Sequence, residues 1–487
     1  MPVLVIDIGS SSVRALLLDR HLIPIPGAVA RREYSFSTSP VGAATLDPAA
    51  LQDTVEACID EVLQHPGADH ILGVGMATFA GNLLGVDANG VPRTPVFTYA
   101  DTRSAPDVEI LAHQVDPEVT WQRTGCRLHT AYHPARLHWL RRSRPDLFDQ
   151  VALWLDLASF LYQQWFGATP ASYSLASWTG LLNRSTLQWD PDWLQLLGLS
   201  AADLPRLADY DALQAGLREP YATRWPVLRD KPFSLAIGDG AATHAGATCF
   251  QPDCLSLSVG TTAALRVAIS ETTHRIPSGL WNYRIDQRLH LLGGATAEGG
   301  NVFAWAKQTL NLPPDATTIE GELSTPEPFQ HNLTALPLLG GERSPGWATR
   351  VSGALHGLTL ETTAVDILQA LLESIALRLS TVLQQLSPLS GPTPRVVASG
   401  GALAASPAWA QMIASAFNCP LHVTGDPEIT ARGIGMLLLG ALGIADVRAW
   451  AMPPARVVSP QSAYVERFRD AREHQQRLYE FVVGEND

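Results

Sequence analysis

The chain begins with two short apolar runs that a small polar turn separates. Residues 3–8 are rich in β-branched side chains, which predicts a buried strand, and residues 13–18 predict a second strand. Gly-Ser-Ser-Ser at 9–12 joins them, so the segment is expected to form a β-hairpin. Asp7 interrupts the first apolar run with a carboxylate. It either caps the turn by bonding the loop amides or holds a cation while the turn holds phosphate.

The same pattern returns in the second half of the chain. Residues 254–269, CLSLSVGTTAALRVAI, repeat the order of residues 3–18, VLVIDIGSSSVRALLL, at an offset of 251 residues. The aligned pairs are Asp7 with Ser258, Gly9 with Gly260, Ser10 with Thr261, and Ser11 with Thr262. The repeat predicts an internal duplication of one α/β domain. Two phosphate-type turns, one in each domain, would then face each other across a cleft between domains, where ligands preferentially bind.

The expected boundary between the two domains is Arg-Asp-Lys-Pro-Phe at 229–233. This segment is polar, contains a proline and precedes a new apolar run. We therefore expect an N-terminal domain over residues 1–232 and a C-terminal domain over residues 233–487. In the second domain, residues 363–386 predict a buried helix, and residues 462–483 predict a helix with one apolar face.

Two further apolar strands each lead into a turn of small residues. AIGDGAATHAG at 236–246 sets Asp239 between two glycines, where it either caps the following helix or accepts a proton from a bound hydroxyl group. VVASGGA at 396–402 contains Gly400 and Gly401, which can lie flat against an adenine or a ribose. The same segment also suits an ordinary strand-to-helix turn.

Length and charge narrow the classes of function. The chain has 487 residues, which favours two to three domains. Lys and Arg number 34 against 47 Asp and Glu, and the net charge of −13 argues against a nucleic-acid partner. The two lysines, Lys231 and Lys307, do not stand in a Walker A sequence. The Gly-x-Ser-x-Gly motif of many serine hydrolases is also absent.

The cysteines and the apolar segments bear on the cellular compartment. Cys58, Cys126, Cys249, Cys254 and Cys419 form no Cys-x-x-Cys pair and are odd in number, which favours free buried thiols in a reducing compartment. The N-terminus lacks the basic region of a signal peptide, and the longest apolar stretch, residues 433–445, is too short for a membrane span. We therefore expect a cytoplasmic protein without a membrane partner.

The ordered set of segments resembles the FGGY family of carbohydrate kinases, members of the actin-like and hexokinase-like ATPase superfamily. The pieces that carry the resemblance run from Asp7 to about Leu442, and they are DIGSSSVRALLLD, YADTRS, TGCRLHTAYHPARLHWL, SYSLASWTGLLN, IGDGAATHAG, LSVGTTAALRV, LLGGERSPGW, SGGALAASPAWAQMIASAF and ITARGIGMLLLGAL. The resemblance implies an α/β fold of two ribonuclease-H-like (actin-like ATPase) domains with an interdomain catalytic cleft. It also implies ATP-dependent phosphorylation of a sugar hydroxyl group.

The resemblance further implies roles for particular residues. Asp239 would be the general base that takes the proton from the attacking hydroxyl group, and Asp7 and Asp239 would lie at the Mg²⁺ ion. The residues that would cradle the phosphates of ATP are Gly9, Ser10, Ser11 and Ser12 from one domain and Gly260, Thr261 and Thr262 from the other. Those that would border the adenosine are Gly400, Gly401 and Ala402, with Gly300 and Asn301 as further candidates.

Gluconate is the substrate that the resemblance favours, with xylulose or another ketose or polyol as the alternative. The candidate substrate residues are Gly81, Asn82, Asp101, Arg103, His129, His244 and Asp239. Asp101 and Arg103 match the W/Y-x-D-x-R piece of the family. Arg103 or Arg127 would either pair with the carboxylate of gluconate or form a structural ion pair. Ala80-Gly81 replaces the Met-His of many related gluconate and xylulose kinases, and so removes a hydrogen-bonding imidazole.

Two other classes of protein are compatible with the resemblance. An actin-like nucleotide switch would couple ATP to binding rather than to sugar chemistry, and a sugar-binding pseudokinase would bind sugar without releasing ADP. Asp239 discriminates between these classes and a kinase, because only a sugar kinase needs a base at this position for turnover. The sequence leaves the oligomeric state open between a monomer and a homodimer.

Overall fold

A five-stranded sheet forms the centre of the first half of the molecule. The computed structural model describes residues 1–270, 275–325, 327–348, 351–391 and 393–484. The strands of this sheet are β1 (Val3–Ile8), β2 (Ser12–Leu18), β3 (Pro24–Glu33), β4 (Val74–Thr78) and β5 (Ile237–Gly238). Their order is β5-β4-β1-β2-β3. The predicted hairpin is confirmed, since β2 pairs antiparallel with β1 and with β3, whereas β4 runs parallel to both β1 and β5.

A seven-stranded sheet repeats this arrangement in the second half. Its strands are β6 (Cys254–Val259), β7 (Ala263–Ile269), β8 (Trp281–Arg284), β9 (His290–Thr296), β10 (Arg395–Ser399), β11 (Leu421–Thr424) and β12 (Ala455–Val458), in the order β8-β9-β7-β6-β10-β11-β12. The β6–β7 hairpin is antiparallel, and β10 runs parallel to β6 and β11. The five strands β9-β7-β6-β10-β11 therefore match β3-β2-β1-β4-β5 in order and direction, and the predicted α/β fold with a duplicated core is confirmed.

Helices cover these sheets. Those of eight or more residues are α1 (Pro48–Val62), α2 (Ala105–Ala112), α3 (Pro117–Thr124), α4 (His133–Ser143), α5 (Leu157–Phe166), α6 (Asp239–Gly246), α7 (Gly300–Thr309), α8 (Ala316–Ser324), α9 (Ala364–Ser390), α10 (Pro407–Phe417), α11 (Ile429–Ala441) and α12 (Ser462–Gly484). Shorter helices are Pro145–Phe148, Tyr173–Ser177, Pro191–Leu197, Tyr221–Arg224 and Gly401–Ala405. Among the residues described, none of the helices combines the length and the apolar content that crossing a bilayer requires.

Short strands form five small two-stranded sheets outside the main ones. The pairs are Thr45–Leu46 with Val96–Phe97, Leu84–Val86 with Leu153–Leu155, Pro170–Ser172 with Arg206–Ala208, Leu182–Asn183 with Gln188–Trp189, and Thr334–Leu336 with Ala354–His356. Most of them belong to the long insertions between β4 and β5, which add a further hydrophobic cluster to the first half of the molecule.

The two helices predicted in the second domain are α9 and α12. A capping box of Thr363 and Asp366 starts α9, because each side chain accepts a hydrogen bond from the other residue's backbone N–H. α9 packs against β7 and β9 on one side and against α10 and α12 on others, so apolar residues occupy most of its circumference. α12 buries Phe468 in the same core and exposes most of its polar residues.

Helices α6 and α11 cross at two glycines and connect the halves. A Cβ atom on Gly433 would lie 1.8 Å from the carbonyl oxygen of Ala242, and one on Gly246 would lie 1.9 Å from that of Ile429. α11 also packs on β1 and β4, although it follows the second sheet in sequence. Strand β5, which lies beyond residue 232, completes the first sheet. The boundary at 232 stays a prediction, and both sides of it contribute to the first sheet.

The expectation of five free thiols is wrong for two of the cysteines. Cys249 follows α6, Cys254 starts β6, and their sulfur atoms form a disulfide bond. The short connection between the helix and the strand brings the two Cα atoms to 4.9 Å, within the usual range for a disulfide. Cys58, Cys126 and Cys419 are free and buried.

Candidate active site

A cavity of about 870 Å³ brings most of the predicted site residues together. Residues from both sheets, from the start of α6 and from the segment before α11 line it. The predicted residues in its wall are Asp7, Gly9, Ser10, Ser11, Ser12, Gly81, Asp239, Gly260, Thr261, Thr262, Gly400 and Gly401. The cavity thus lies where the duplication predicts a cleft.

The two phosphate-type turns have the same backbone structure. The N–H of Gly9 donates to the carbonyl of Ser12, and the N–H of Gly260 donates to the carbonyl of Thr262, each over 2.9 Å. Gly300 N donates to the carbonyl of Gly260 over 2.7 Å. Small residues in such a turn allow an anion to approach backbone N–H groups and hydroxyl groups closely. Both turns are therefore suited to bind phosphate.

Each turn is braced from behind by other residues. The N–H of Tyr34 donates to the carbonyl of Ser11 over 3.0 Å, and the hydroxyl group of Tyr34 donates to the carbonyl of Gly9. In the second domain, Asn301 N donates to the carbonyl of Thr261 over 3.2 Å. These bonds hold the carbonyl groups of each turn, so the N–H and hydroxyl groups remain available to a ligand.

Asp7 is buried and paired with an arginine. Its Oδ2 atom accepts a hydrogen bond from Arg14 Nη2 over 2.7 Å, and Arg14 Nη1 lies 3.2 Å from Glu428 Oε2. Burial raises the pKa of Asp7, while Arg14 lowers it. In the second domain Ser258 stands in place of Asp7 and accepts a hydrogen bond from Arg266 Nη1 over 2.9 Å. The duplicated turns therefore differ in the charge beside them.

Asp239 begins α6 directly after β5 and lies in the cavity wall. Gly238 is the N-cap residue, and Asp239 Oδ1 accepts a hydrogen bond from Gly240 N over 2.8 Å. Burial above all, together with the charge of Asp7, raises the pKa of Asp239 to about 6. The Gly240 N–H and the charge of Arg266 act in the opposite direction. A carboxylate with such a pKa is well matched to accept a proton near neutral pH.

Three candidate substrate residues of the first domain have structural partners away from the cavity wall. Asn82 Oδ1 accepts a hydrogen bond from Leu157 N over 2.7 Å. Asp101 pairs with Arg103 over 2.6 Å, and the Arg103 guanidinium stacks 4.8 Å above the ring of Trp139. This geometry favours the structural ion pair for Arg103.

The remaining candidates also lie outside the cavity lining. His129 is half-buried with its ring against Trp347, and desolvation lowers its pKa to about 4. His244 is fully buried in α6, with Nδ1 2.6 Å from the hydroxyl oxygen of Ser256. Gly300 and Asn301 brace the second turn, and Ala402 begins a short helix after Gly401.

The cavity also contains residues that sequence reasoning missed. Trp178 stacks on Tyr283 with ring centroids 3.7 Å apart, and Trp281 stacks on Tyr283 at 4.2 Å. Aromatic faces of this kind bind the C–H faces of sugars. Arg266 and Arg343 line the cavity as well. The sequence could have indicated these two arginines, because they stand in LSVGTTAALRV and LLGGERSPGW, two of the segments that carry the family resemblance.

Comparison with known families matches both halves of the chain. The FGGY family of carbohydrate kinases, N-terminal domain, matches residues 2–246, and the FGGY family of carbohydrate kinases, C-terminal domain, matches residues 255–443. A gluconokinase of Bacillus subtilis (strain 168) is 25% identical over 458 residues, which cover 91% of this chain and 88% of that protein. The similarity therefore extends over nearly all of both proteins.

Solved structures show the same two-domain fold. A gluconate kinase from Lactobacillus acidophilus superposes with a TM-score of 0.91 at 24% identity, covering 99% of both chains. A ligand-bound xylulose kinase from Lactobacillus acidophilus gives a TM-score of 0.91 at 24% identity, covering 98% of this chain and 97% of that one. The fold is that of the actin-like ATPases, with two domains around a cleft.

Proposed function

Because the chain belongs to the FGGY family of carbohydrate kinases, and is therefore a phosphotransferase with an alcohol acceptor, we propose that it transfers the γ-phosphoryl group of ATP to a hydroxyl group of gluconate. The family relation implies the use of ATP. The observation that carries the proposal is the cavity that both phosphate-type turns share with Asp239.

In this mechanism the two turns hold the phosphates of ATP from opposite domains. Ser10, Ser11 and Ser12 supply hydroxyl and N–H donors from one side, and Thr261 and Thr262 supply them from the other. Charge stabilisation and alignment account for most of the catalysis of phosphoryl transfer. The glycines at 400 and 401 offer a flat backbone surface to the adenosine at the same cavity.

Asp239 accepts the proton of the attacking hydroxyl group in this proposal. Its carboxylate lies in the cavity wall, and its pKa of about 6 leaves it mostly ionised at neutral pH. As the oxygen attacks phosphorus, its proton passes to a carboxylate oxygen of Asp239, and ADP leaves. The hydroxyl oxygen thus becomes the bridging oxygen of the new phosphate ester.

The carboxylates of the cavity fit a Mg²⁺ ion shared with the nucleotide. Within the described residues, no cluster of three or more His, Cys, Asp or Glu side chains could hold a metal alone. Mg²⁺ in kinase sites usually takes one or two carboxylates plus phosphate oxygens and water. Asp7 and Asp239 both line the cavity, and the charge of Asp7 acts on Asp239, so they are our proposed protein ligands. When bound, the ion would neutralise charge on the transferred phosphoryl group.

Gluconate is proposed over neutral acceptors on two grounds. The matched Bacillus subtilis relative is named a gluconokinase, and two of the four cavity arginines, Arg266 and Arg343, form no ion pair within the described residues. Xylulose is the second candidate, because the xylulose kinase from Lactobacillus acidophilus superposes equally well.

An ADP-release assay across acceptors tests the proposal. We expect kcat/KM for gluconate to exceed that for xylulose, ribulose and glycerol by about tenfold or more. Preparations of the Asp239→Asn variant reveal any contaminating kinase. A higher kcat/KM for xylulose would replace gluconate with the ketose, and no ADP release with any acceptor would refute the kinase reaction.

A further inference from the structure

Two of the arginines in the cavity wall form no ion pair within the described residues, although Asp239 acts on Arg266 and Arg343 acts on Glu298 at longer range. Arg14 and Arg31 also line the cavity, but both are ion-paired, Arg14 with Asp7 and Arg31 with a neighbouring glutamate. Arg266 and Arg343 form no ion pair with a carboxylate in the described part of the chain. The Nε atoms of both are buried and have no hydrogen-bond partner there. Arg266 is buried and Arg343 is half-buried, and a cation in such a position is costly unless an opposite charge is supplied.

Arg266 lies directly beside the proposed base. A Cβ atom on Gly240 would lie 3.2 Å from Arg266 Nη2, so the glycine leaves room for the guanidinium next to Asp239. One nitrogen, Nη1, donates to the hydroxyl oxygen of Ser258 over 2.9 Å. That bond orients the side chain without neutralising its charge.

Arg343 lies at the part of the cavity formed by aromatic side chains. Its charge acts on Tyr132 and Tyr283, whose hydroxyl oxygens are 2.6 Å apart, and on Arg266. All of these residues line the cavity. The two arginines therefore share one region, which the stacked ring of Trp178 also borders.

The loop that carries Arg343 is held rigidly. The neighbouring Glu342 pairs with Arg378 and accepts a hydrogen bond from the hydroxyl group of Tyr479 over 2.7 Å. The carbonyl of Arg343 accepts a hydrogen bond from Trp347 N over 2.8 Å. Such bonds reduce the conformational entropy that binding a ligand would otherwise remove.

The charged side chains around Asp239 favour the binding of one anion. Asp239 contributes one negative charge, and Arg266 and Arg343 contribute two positive charges. Asp7 is neutralised by Arg14, and burial raises the pKa of Glu298 to about 7, so the net charge near the acceptor hydroxyl group is positive. A guanidinium binds a carboxylate through paired hydrogen bonds. A neutral sugar would leave one of the buried charges unpaired.

We infer that Arg343, together with Arg266, binds the carboxylate of a sugar-acid substrate and so selects it over neutral sugars and polyols. This inference rests on the proposed kinase reaction with gluconate. It replaces Arg103 and Arg127 as the expected partners of the carboxylate. Arg103 is paired with Asp101, and the Arg127 guanidinium stacks 4.1 Å above the ring of Trp121, away from the cavity.

The test compares gluconate with D-glucitol, which has the same number of carbon atoms and no carboxylate. Calorimetry without nucleotide gives the Kd of each ligand, and steady-state kinetics give the KM values of gluconate and ATP. Arg343→Gln should raise the Kd and KM for gluconate about 10- to 100-fold, the range for losing a hydrogen bond to a charged group. Arg266→Gln should act in the same direction. The Kd of D-glucitol and the KM of ATP should change less than about threefold.

Arg395→Gln is the matched control, because Arg395 is exposed at the end of β10 opposite Ser399. It should leave all of these constants unchanged. If Arg343→Gln does not fold by circular dichroism, Arg343→Lys provides the same test. It keeps the charge, loses the forked geometry, and should give an intermediate Kd for gluconate.

The results distinguish a failure of the carboxylate site from a failure of the proposed kinase function. Gluconate turnover with an unchanged gluconate Kd in Arg343→Gln overturns the inference and leaves the proposed function standing. If only the KM for ATP rises in Arg343→Gln, the arginine binds the phosphates of ATP and not the carboxylate, and this result also overturns the inference. A wild-type enzyme that phosphorylates xylulose and does not bind gluconate overturns the proposed function, and the carboxylate site with it.

Discussion

Asp239→Asn separates the catalytic role of this residue from its effect on stability. The substitution removes the proton acceptor and keeps the size of the side chain. The amide oxygen can still accept the hydrogen bond from Gly240 N, which spans 2.8 Å. Loss of a positioned base lowers kcat by about 10²- to 10⁴-fold. We expect the variant to retain measurable binding of ATP and gluconate while turnover falls within this range.

The same substitution should stabilise the protein at neutral pH. An ordinary aspartate titrates at 3.8, and burial raises the pKa of Asp239 to about 6. Between these pH values the folded state holds more protons than the unfolded state, so the contribution of Asp239 to stability falls as pH rises. Above pH about 6 the ionised group costs the fold up to about 3 kcal/mol, since one pKa unit corresponds to about 1.4 kcal/mol. The asparagine variant avoids this cost.

The assay combines a pH profile with thermal unfolding. For the wild type, kcat/KM should fall about tenfold per pH unit below pH about 6, whereas the residual rate of the asparagine variant should lack this decline. Its Tm at pH 7 should exceed the wild-type value by roughly 2 °C or more, and the gain should disappear towards pH 4. Asp146→Asn, an exposed substitution in a short helix, should change neither quantity. An Asp239→Asn variant within tenfold of wild-type activity, or a flat wild-type profile from pH 5 to 8, would refute the reasoning.

Three other predictions concern the ion pair of Asp7, the crossing of helices α6 and α11, and the closure of the two domains. Arg14→Met leaves the buried Asp7 carboxylate without its partner, so the free energy of unfolding should fall by about 2–4 kcal/mol in urea titrations, whereas Arg31→Met in an exposed pair should cost less than about 1 kcal/mol. A loss below 1 kcal/mol for Arg14→Met would contradict the ion-pair argument. Gly433→Ala forces a methyl group against a backbone carbonyl of the crossing helix and should destabilise the protein by about 1–3 kcal/mol or more. Gly321→Ala, with open space around a helical glycine, should stabilise it by up to about 1 kcal/mol, and equal effects of the two substitutions would rule out the tight crossing. Gluconate with a nonhydrolysable ATP analogue should reduce the radius of gyration in X-ray scattering, because closure of two domains expels water from the cavity; an unchanged profile would count against closure.

The pattern of apolar and polar residues predicts those parts of the fold that depend on residues close together in sequence. The two hairpins and their turns follow from apolar runs around small polar residues, and each closes with the same backbone hydrogen bond. The pattern predicts the apolar strand that leads to Asp239, but it does not predict that this strand, β5, joins the sheet of the first half. It also does not predict the disulfide, which depends on how the end of α6 approaches the start of β6.

The same limit applies to the site. Asp239 and the turns stand in recognisable local segments, so sequence alone indicates them. The carboxylate site depends instead on Arg343 and Arg266, which lie 77 residues apart in sequence and meet only in the folded protein. Arg103 is a more conspicuous candidate in sequence, yet its charge is already paired with Asp101. Whether an arginine is free to bind a ligand depends on its partners in space, and these are not encoded in its immediate neighbours.

The difference between the duplicated turns suggests how two similar domains can bind both ATP and an anionic acceptor. In the first domain, Arg14 is neutralised by Asp7, and a second carboxylate from Glu428 lies next to it, so this side favours a cation together with the phosphates. In the second domain Ser258 replaces the aspartate, and Arg266 keeps its charge. A serine hydroxyl group can orient a guanidinium but cannot neutralise it. Because Arg266 is held by a hydroxyl group and not by a carboxylate, a positive charge remains beside Asp239, where an anionic acceptor would need it, while the backbone hydrogen bond that closes the turn is the same in both domains.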